Sequence, residues 1–248
     1  MLRRRVIPVV LLDGYSVVKT IQFNIRRNLG NPITVARIYN TRDVDELILL
    51  DIDASKEGRC IDLHTIEEVA LECFMPLTVG GGLKTCEDIE NVLKKGADKV
   101  VLNTAALKNP DIVKKSSLAF GSQCIVVSID VKKNRDGYGI FSHSGYKTHK
   151  DLIEWCKELA CLGAGEFLIN SVDLDGKMAG YDYGLIEKVA KVVNIPVIAC
   201  GGASKPDNCS KAIHRGACAV AAASMFHFTE YTPNDCKKAM KTANIPVR

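Results

Sequence analysis

Residues 75–110 read "MPLTVGGGLKTCEDIENVLKKGADKVVLNTAALKNP", and residues 195–226 read "IPVIACGGASKPDNCSKAIHRGACAVAAASMF". Each gives a short apolar strand, a glycine cluster, an amphipathic helix, Gly-Ala, a second apolar strand and then small or hydroxylated residues. The match holds at a constant spacing. Pro76 and Pro196, Gly81 and Gly201, Gly96 and Gly216, and Thr104 and Ser224 all lie 120 residues apart. The same spacing joins Glu46 to Glu166 and Asp53 to Asp173. Two half-barrels follow, residues 1–120 and 121–248, each with four strand–helix units.

Working outward, the candidate strands are 6–11, 47–52, 76–79, 99–103, 124–129, 166–170, 196–199 and 219–222, eight in all. Between them run amphipathic stretches, among them 62–74, 86–96, 152–163 and 183–193. Alternation of this kind predicts parallel strands joined by crossover helices. The strands are almost uniformly apolar, as expected where both faces of a sheet are covered. Eight units in 248 residues match the size of a (β/α)8 TIM barrel, here one domain over 1–248; an open doubly wound sheet is the alternative. Two connections, 12–32 and 131–148, are too long for plain linkers. Both follow strand C-termini, which places them at the catalytic rim of a barrel. The second is expected to form a small hairpin at Asp136-Gly137.

Glycines let backbone N–H groups approach an anion closely, and a following helix start adds free donors. Gly81 and Gly82 follow the third strand, and Gly201 and Gly202 the seventh. Asn103 and Thr104 follow the fourth, and Ala223 and Ser224 the eighth. The chain thus builds a phosphate site twice, on opposite sides of the rim, and a substrate with a phosphate at each end would fill both. Tight turns alone are the plainer reading of these glycines.

Composition narrows the function classes. Net charge is +4, charged residues make up 25%, and no basic run with interleaved aromatics points to nucleic acid. No stretch is long and apolar enough for a membrane span, and the N-terminus lacks a secretory signal pattern. The ten cysteines form no C-x-x-C pair, so zinc and redox motifs are unsupported and no metal or cofactor is expected. Several lie inside apolar patterns and read as buried thiols in a reducing cytoplasm.

"DELILLDIDAS" (45–55), "TVGGGLKTCEDIENVLKKGADKVVLNTAA" (78–106), "FGSQCIVVSIDVKK" (120–133), "DLDGKMAGYD" (173–182) and "IACGGASK" (198–205) carry a family resemblance. Over essentially its full length the sequence resembles the HisF family, the cyclase subunit of imidazole glycerol phosphate synthase. The resemblance implies a barrel paired with a separate HisH-type glutaminase at its N-terminal face. Ammonia released there would cross the barrel core to the rim. In the family it meets a two-phosphate ribulosyl aminoimidazole-carboxamide ribotide, giving imidazole glycerol phosphate and an aminoimidazole ribotide.

Arg5, Glu46, Lys99 and Glu166 each stand at or just before a strand start, hence at the barrel floor. Two acids and two bases there can pair and plug the bore, and the family has a salt-bridged ammonia gate at matching positions; solvated strand-start charges are the plainer reading. The resemblance further implies catalytic Asp130 and substrate-contacting Lys19. It places Asp51, Ser144 and Asp175 in the substrate pocket, with Asn170 where the family usually has threonine, and Gly176 at the second phosphate site.

One family feature is missing. Proton transfers in ring closure need one group to give and one to take, and the family carries a second catalytic aspartate at the end of strand one. The internal spacing puts that place at Val10 or Leu11, and alignment on Arg5 and Lys19 puts it at Leu11. Asp13 lies two residues on and either belongs to an Asp-Gly turn or slides into the catalytic place. Retained phosphate sites and gate beside a lost proton-transfer group resemble a family branch that serves amidation of surface-polysaccharide sugars. The alternatives are a cyclase of histidine biosynthesis and a non-catalytic activator of the glutaminase.

Overall fold

The computed structural model describes residues 3–135, 137–146, 148 and 150–248. Eleven strands form among them: β1 (Arg5–Asp13), β2 (Ser16–Ile21), β3 (Ile25–Gly30), β4 (Leu47–Asp51), β5 (Leu77–Gly80), β6 (Lys99–Leu102), β7 (Ile125–Asn134), β8 (Gly137–Phe141), β9 (Glu166–Ser171), β10 (Val197–Cys200) and β11 (Ala219–Ala222). Eight of them, β1, β4, β5, β6, β7, β9, β10 and β11, pair in parallel in that order, and β11 pairs back on β1. The sheet closes into the expected (β/α)8 barrel rather than the open alternative.

Closure makes the two faces of each strand unequal. Ile7, Val9, Ile48, Val101, Val126, Leu168, Ile198, Ala219 and Ala221 point into the bore. Their neighbours in sequence, such as Val6, Val10, Leu49, Val100, Val127 and Phe167, pack outward against the helices. That outer layer is larger and holds the buried Trp155.

Helix ends follow the repeat. Thr85 Oγ1 accepts from Asp88 N at 3.1 Å, and Asp88 returns a bond to Thr85 N at 2.9 Å, starting the helix Cys86–Lys94. At the equivalent start of Pro206–His214, Asn208 accepts from Lys205 N at 3.1 Å and Ser204 Oγ at 2.8 Å. The first cap is reciprocal and satisfies a helix donor that would otherwise lack a partner; in the second only the Asn208 side chain accepts, because a lysine side chain has no acceptor to return.

The two long connections are hairpins that extend the first strand of each half. β1 turns into β2 and β3 by antiparallel pairing, and β7 turns into β8, Asn134 pairing with Gly137. Asp136, expected in that turn, lies outside the described residues. Asp53 and Asp173, 120 residues apart, each hold one hairpin down. Both Asp53 oxygens accept from Arg26 on β3, and Asp173 accepts from Lys133 N on β7 at 2.7 Å. No helix among the described residues is long and apolar enough to cross a membrane.

Tight backbone contact at the barrel floor sets a stability test. A Cβ on Gly165 would lie 1.9 Å from Ser122 O and 2.6 Å from Ser122 C. Gly165→Ala is expected to lower stability by about 2–3 kcal/mol, read as a reduced urea midpoint at unchanged slope.

Candidate functional site

One cavity opens at the C-terminal ends of the barrel strands. Its walls include Val9, Leu11, Lys19, Asp51, Gly81, Gly82, Asn103, Thr104, Asp130, Ser144, Asn170, Asp175, Gly176, Gly201, Gly202, Ala223 and Ser224. Every rim residue expected from sequence is therefore present except Asp13. That residue ends β1 at the hairpin edge, outside the cavity lining, and its carboxylate accepts from Arg26 at 2.8 Å.

Strand alternation settles which β1 residue faces Asp130. On β7 the inward residues are Val126, Ser128 and Asp130; on β1 they are Ile7, Val9 and Leu11. Val10 packs in the outer layer. Leu11 and Asp130 are thus equivalent, 119 rather than 120 residues apart. An apolar side chain thus stands at the place in the first half that Asp130 holds in the second.

The cavity's three carboxylates have unlike partners. Asp51 accepts from Arg59 and from the N–H groups of Asp53 and Ala54, both at 3.1 Å. Asp175 receives Lys19 Nζ at 3.3 Å on each oxygen and Thr20 Oγ1 at 3.2 Å. Among the described residues Asp130 has only neutral partners, Asn103 Nδ2 at 2.7 Å and Asn170 Nδ2 at 3.2 Å. Burial pushes its carboxyl up to about 6; the two amide donors pull it down and Asp175 adds to the rise. A group titrating there can take or give a proton near neutral pH.

The glycine turns are twofold copies. Gly81, Gly82, Gly201 and Gly202 all have positive φ, at 140°, 68°, 86° and 100°. A Cβ on Gly82 would meet Arg59 O at 1.9 Å, and one on Gly202 would meet Gly180 O at 2.2 Å. Only glycine fits at either place. Asn103 and Ala223 share an unusual backbone, with φ/ψ of −130/−88° and −124/−71°, before short helices that begin at Thr104 and Ser224.

Among the described residues, four buried side-chain polar atoms lack a hydrogen-bond partner. Three of them, His143 Nε2, Asn170 Oδ1 and Ser224 Oγ, belong to residues lining this cavity. Buried polar groups are ordinarily paired, so their gathering in one cavity marks a place for a polar ligand.

The floor closes the opposite end. Arg5 bonds to Glu46 and, at 2.8 Å, to Glu166; Lys99 bonds to Glu166 at 2.9 Å and to Glu46 at 3.2 Å. Thr78 Oγ1 donates to Glu46 at 2.8 Å. Burial alone would push the Glu166 carboxyl up, but Arg5 and Lys99 more than offset it and hold it below its ordinary value. The four charges form one closed, nearly buried ring, and an apolar bore separates it from the rim.

Sequence reading missed Thr20, Phe23, Ser55, Lys56, Ser128 and His143, which also line the cavity. Ser55 and Lys56 stand 120 residues before Asp175 and Gly176, so the repeat itself could have found them. Ser128 follows from alternation with Asp130. Nothing in the local pattern singles out His143.

A closed parallel barrel with a twice-built rim cavity above a charged floor defines the structural class. The chain belongs to the histidine biosynthesis protein family, whose model matches residues 5–232, and within it to the HisF group. It is 47% identical over its whole length to 99% of a Campylobacter jejuni protein provisionally named imidazole glycerol phosphate synthase subunit hisF2. It is 45% identical, with full coverage of both chains, to imidazole glycerol phosphate synthase subunit HisF of Exiguobacterium sibiricum. The HisF subunit of Caulobacter vibrioides is 46% identical, matched over 100% of this chain and 97% of its own.

Asp130 generates a stability prediction. An unfolded aspartate titrates near 3.9, and folding raises Asp130 to about 6. Ionisation of Asp130 therefore opposes folding: the penalty is absent below about pH 4 and complete above about pH 6. Asp130→Asn is expected to be more stable than the parent by about 1–3 kcal/mol at pH 8 and equal to it at pH 4. Urea unfolding at the two pH values checks this, with Asn170 free to turn its unpaired Oδ1 toward the new amide.

Proposed function

We propose that this chain is the synthase subunit of a two-protein amidotransferase. It uses ammonia supplied by a HisH-type glutaminase and acts on a phosphate-bearing small molecule, in a diverged role serving amidation of a surface-polysaccharide sugar. The observation that carries the divergence is Leu11. It faces the cavity at the place equivalent to Asp130, and Asp130 is the one cavity-lining carboxylate with no cationic partner. Ring closure and C–N cleavage need a proton donor and a proton acceptor; this cavity offers one carboxylate for the work.

Support for the ammonia route comes from the floor and the bore. Ile7, Ile48, Val101, Val126, Leu168 and Ile198 line the interior above the ring. Such walls admit neutral ammonia and oppose ammonium, whose charge is costly to desolvate. A passage would require at least one ring pair to swing aside. Leu71 and Phe74, 75% and 86% exposed, end the helix Leu63–Glu72 and precede β5. They lie on the floor side of the barrel, where a partner's apolar surface would cover them. The names of the relatives, each a synthase subunit, support a partner of this kind.

Support for phosphate comes from the paired glycine turns and from Ser224 Oγ, buried without a partner beside the second turn. Gly176, Asn103, Thr104 and Ala223 complete the two cradles. Asp130 would move the proton. Lys19, held by Asp175, would meet the substrate's polar core together with Ser144 and Asn170.

The second reading is a cyclase of histidine biosynthesis. Its support is the retention of Lys19, Asp51, Ser144 and Asp175 in the cavity, and the names borne by the Exiguobacterium and Caulobacter relatives. The two readings separate on one assay: purified protein with the ribulosyl aminoimidazole-carboxamide ribotide and excess ammonium salt, which bypasses the glutaminase. The diverged reading predicts no imidazole glycerol phosphate above background. Turnover at an ordinary enzymatic rate, about 1 per second or more, establishes the cyclase instead.

A further inference from the structure

The two glycine cradles share a backbone but not a charge. The short helix Ala54–Glu57 packs on the first: a Cβ on Gly82 would lie 3.1 Å from Ala54 Cβ. The segment around Leu174 packs on the second in the same way, at 3.0 Å from a Cβ on Gly202. Ala54 and Leu174 are 120 residues apart, and the same step pairs Lys56 with Gly176. Where the second half has a glycine, the first has a lysine at the cavity wall.

Lys56 differs from the other lysine of this cavity. Lys19 Nζ lies 3.3 Å from both oxygens of Asp175, so its charge is neutralised in place. Lys56 makes no ion pair among the described residues, although three carboxylates lie in its own segment. Asp51 is taken by Arg59, Asp53 by Arg26, and Glu57 by Arg59 at 2.6 Å. The arginines occupy all three and leave the lysine at the cavity wall.

His143 stands on the same wall. Its ring meets Phe23 edge-on, with centroids 5.9 Å apart, and its Nε2 is buried without a hydrogen-bond partner. Among the described residues, the charged groups that act on it are Asp53, Lys56 and Arg26. Burial lowers its pKa; Asp53 opposes this, while Lys56 and Arg26 lower it further. The free site thus disfavours the charged ring, and its unmet nitrogen lines the same cavity as the Lys56 ammonium. An arriving dianion would satisfy both at once and favour protonation of the ring.

We infer that His143 and Lys56 form a cationic corner that completes the first glycine cradle as a site for a phosphomonoester dianion, while among the described residues the second cradle holds its anion by neutral donors alone. The inference rests on the phosphate-bearing substrate proposed above and deepens it. The substrate enters in one orientation, with its more highly charged end at Gly81-Gly82 and Thr104 and its other end at Gly201-Gly202 and Ser224. A backbone with near-twofold symmetry thereby discriminates between two ends of one molecule.

Inorganic sulfate is the probe, because its charge stays fixed between pH 5 and 8 while phosphate's does not. The full-length protein is titrated by calorimetry, and the His143 ring is followed by NMR, assigned by loss of its signal in His143→Gln. Saturating sulfate is expected to raise the His143 pKa, with the protonated ring binding sulfate about tenfold or more tightly. Lys56→Met is expected to weaken sulfate about three- to fivefold, and His143→Gln to flatten the rise in affinity at low pH. Thr104→Ala tests the cradle itself. If Thr104→Ala weakens sulfate while His143 titrates unchanged and Lys56→Met binds as the parent does, the cationic corner is wrong and the phosphate reading stands. If none of the three substitutions alters sulfate binding, the phosphate reading fails and takes the corner with it.

Discussion

The alternation of side chains on a closed parallel sheet governs everything else in this molecule. Once β11 pairs with β1, each strand has one face in the bore and one against the helices. A residue cannot move between them without shifting register along a strand bonded on both sides. That constraint puts Leu11 inside and Val10 outside, and it brings Ser128 and Asp130 to the same cavity. It also carries Asp13 to the hairpin edge, off the cavity lining, where Arg26 holds its carboxylate.

Electrostatics divides the bore into three levels. A ring of two acids and two bases closes the floor, an apolar column follows, and polar side chains crown the rim. A buried ion pair stabilises little on balance but is expensive to break, because the orphaned charge stays desolvated. The floor ring therefore resists opening. The rim shows the opposite design. Asp130 is deprived of a cation and given two amide donors, which leaves its proton near the point of exchange. Two other carboxylates in the same cavity are locked by Arg59 and Lys19 and serve to position loops and side chains.

Much of this was legible in the sequence, and the reasons differ from one residue to another. The repeat fixed the barrel and the twin glycine turns, and the strand starts fixed the four floor charges, because a strand start is a position along the axis that sequence order preserves. The choice between Val10 and Leu11 was not legible from the repeat, since the halves differ by one residue between the first strands and the rest. β3, "IRRNLG", is exposed along nearly its whole length, so no apolar alternation announced it as a strand. Its pairing comes from the β2 partner and from Arg26 reaching Asp53. His143 sits on a loop, where no period applies, and only the absence of a partner for its Nε2 draws notice.

The central claim is that an apolar residue occupies the place of a proton-transfer group in an otherwise complete cavity. Leu11→Asp tests it directly: the variant restores a carboxylate opposite Asp130 without touching the cradles or the floor. Turnover of the ribulosyl aminoimidazole-carboxamide ribotide with ammonium should rise by about 10²-fold or more over the parent. A parent already active, and a Leu11→Asp variant that folds but adds nothing, would contradict the account.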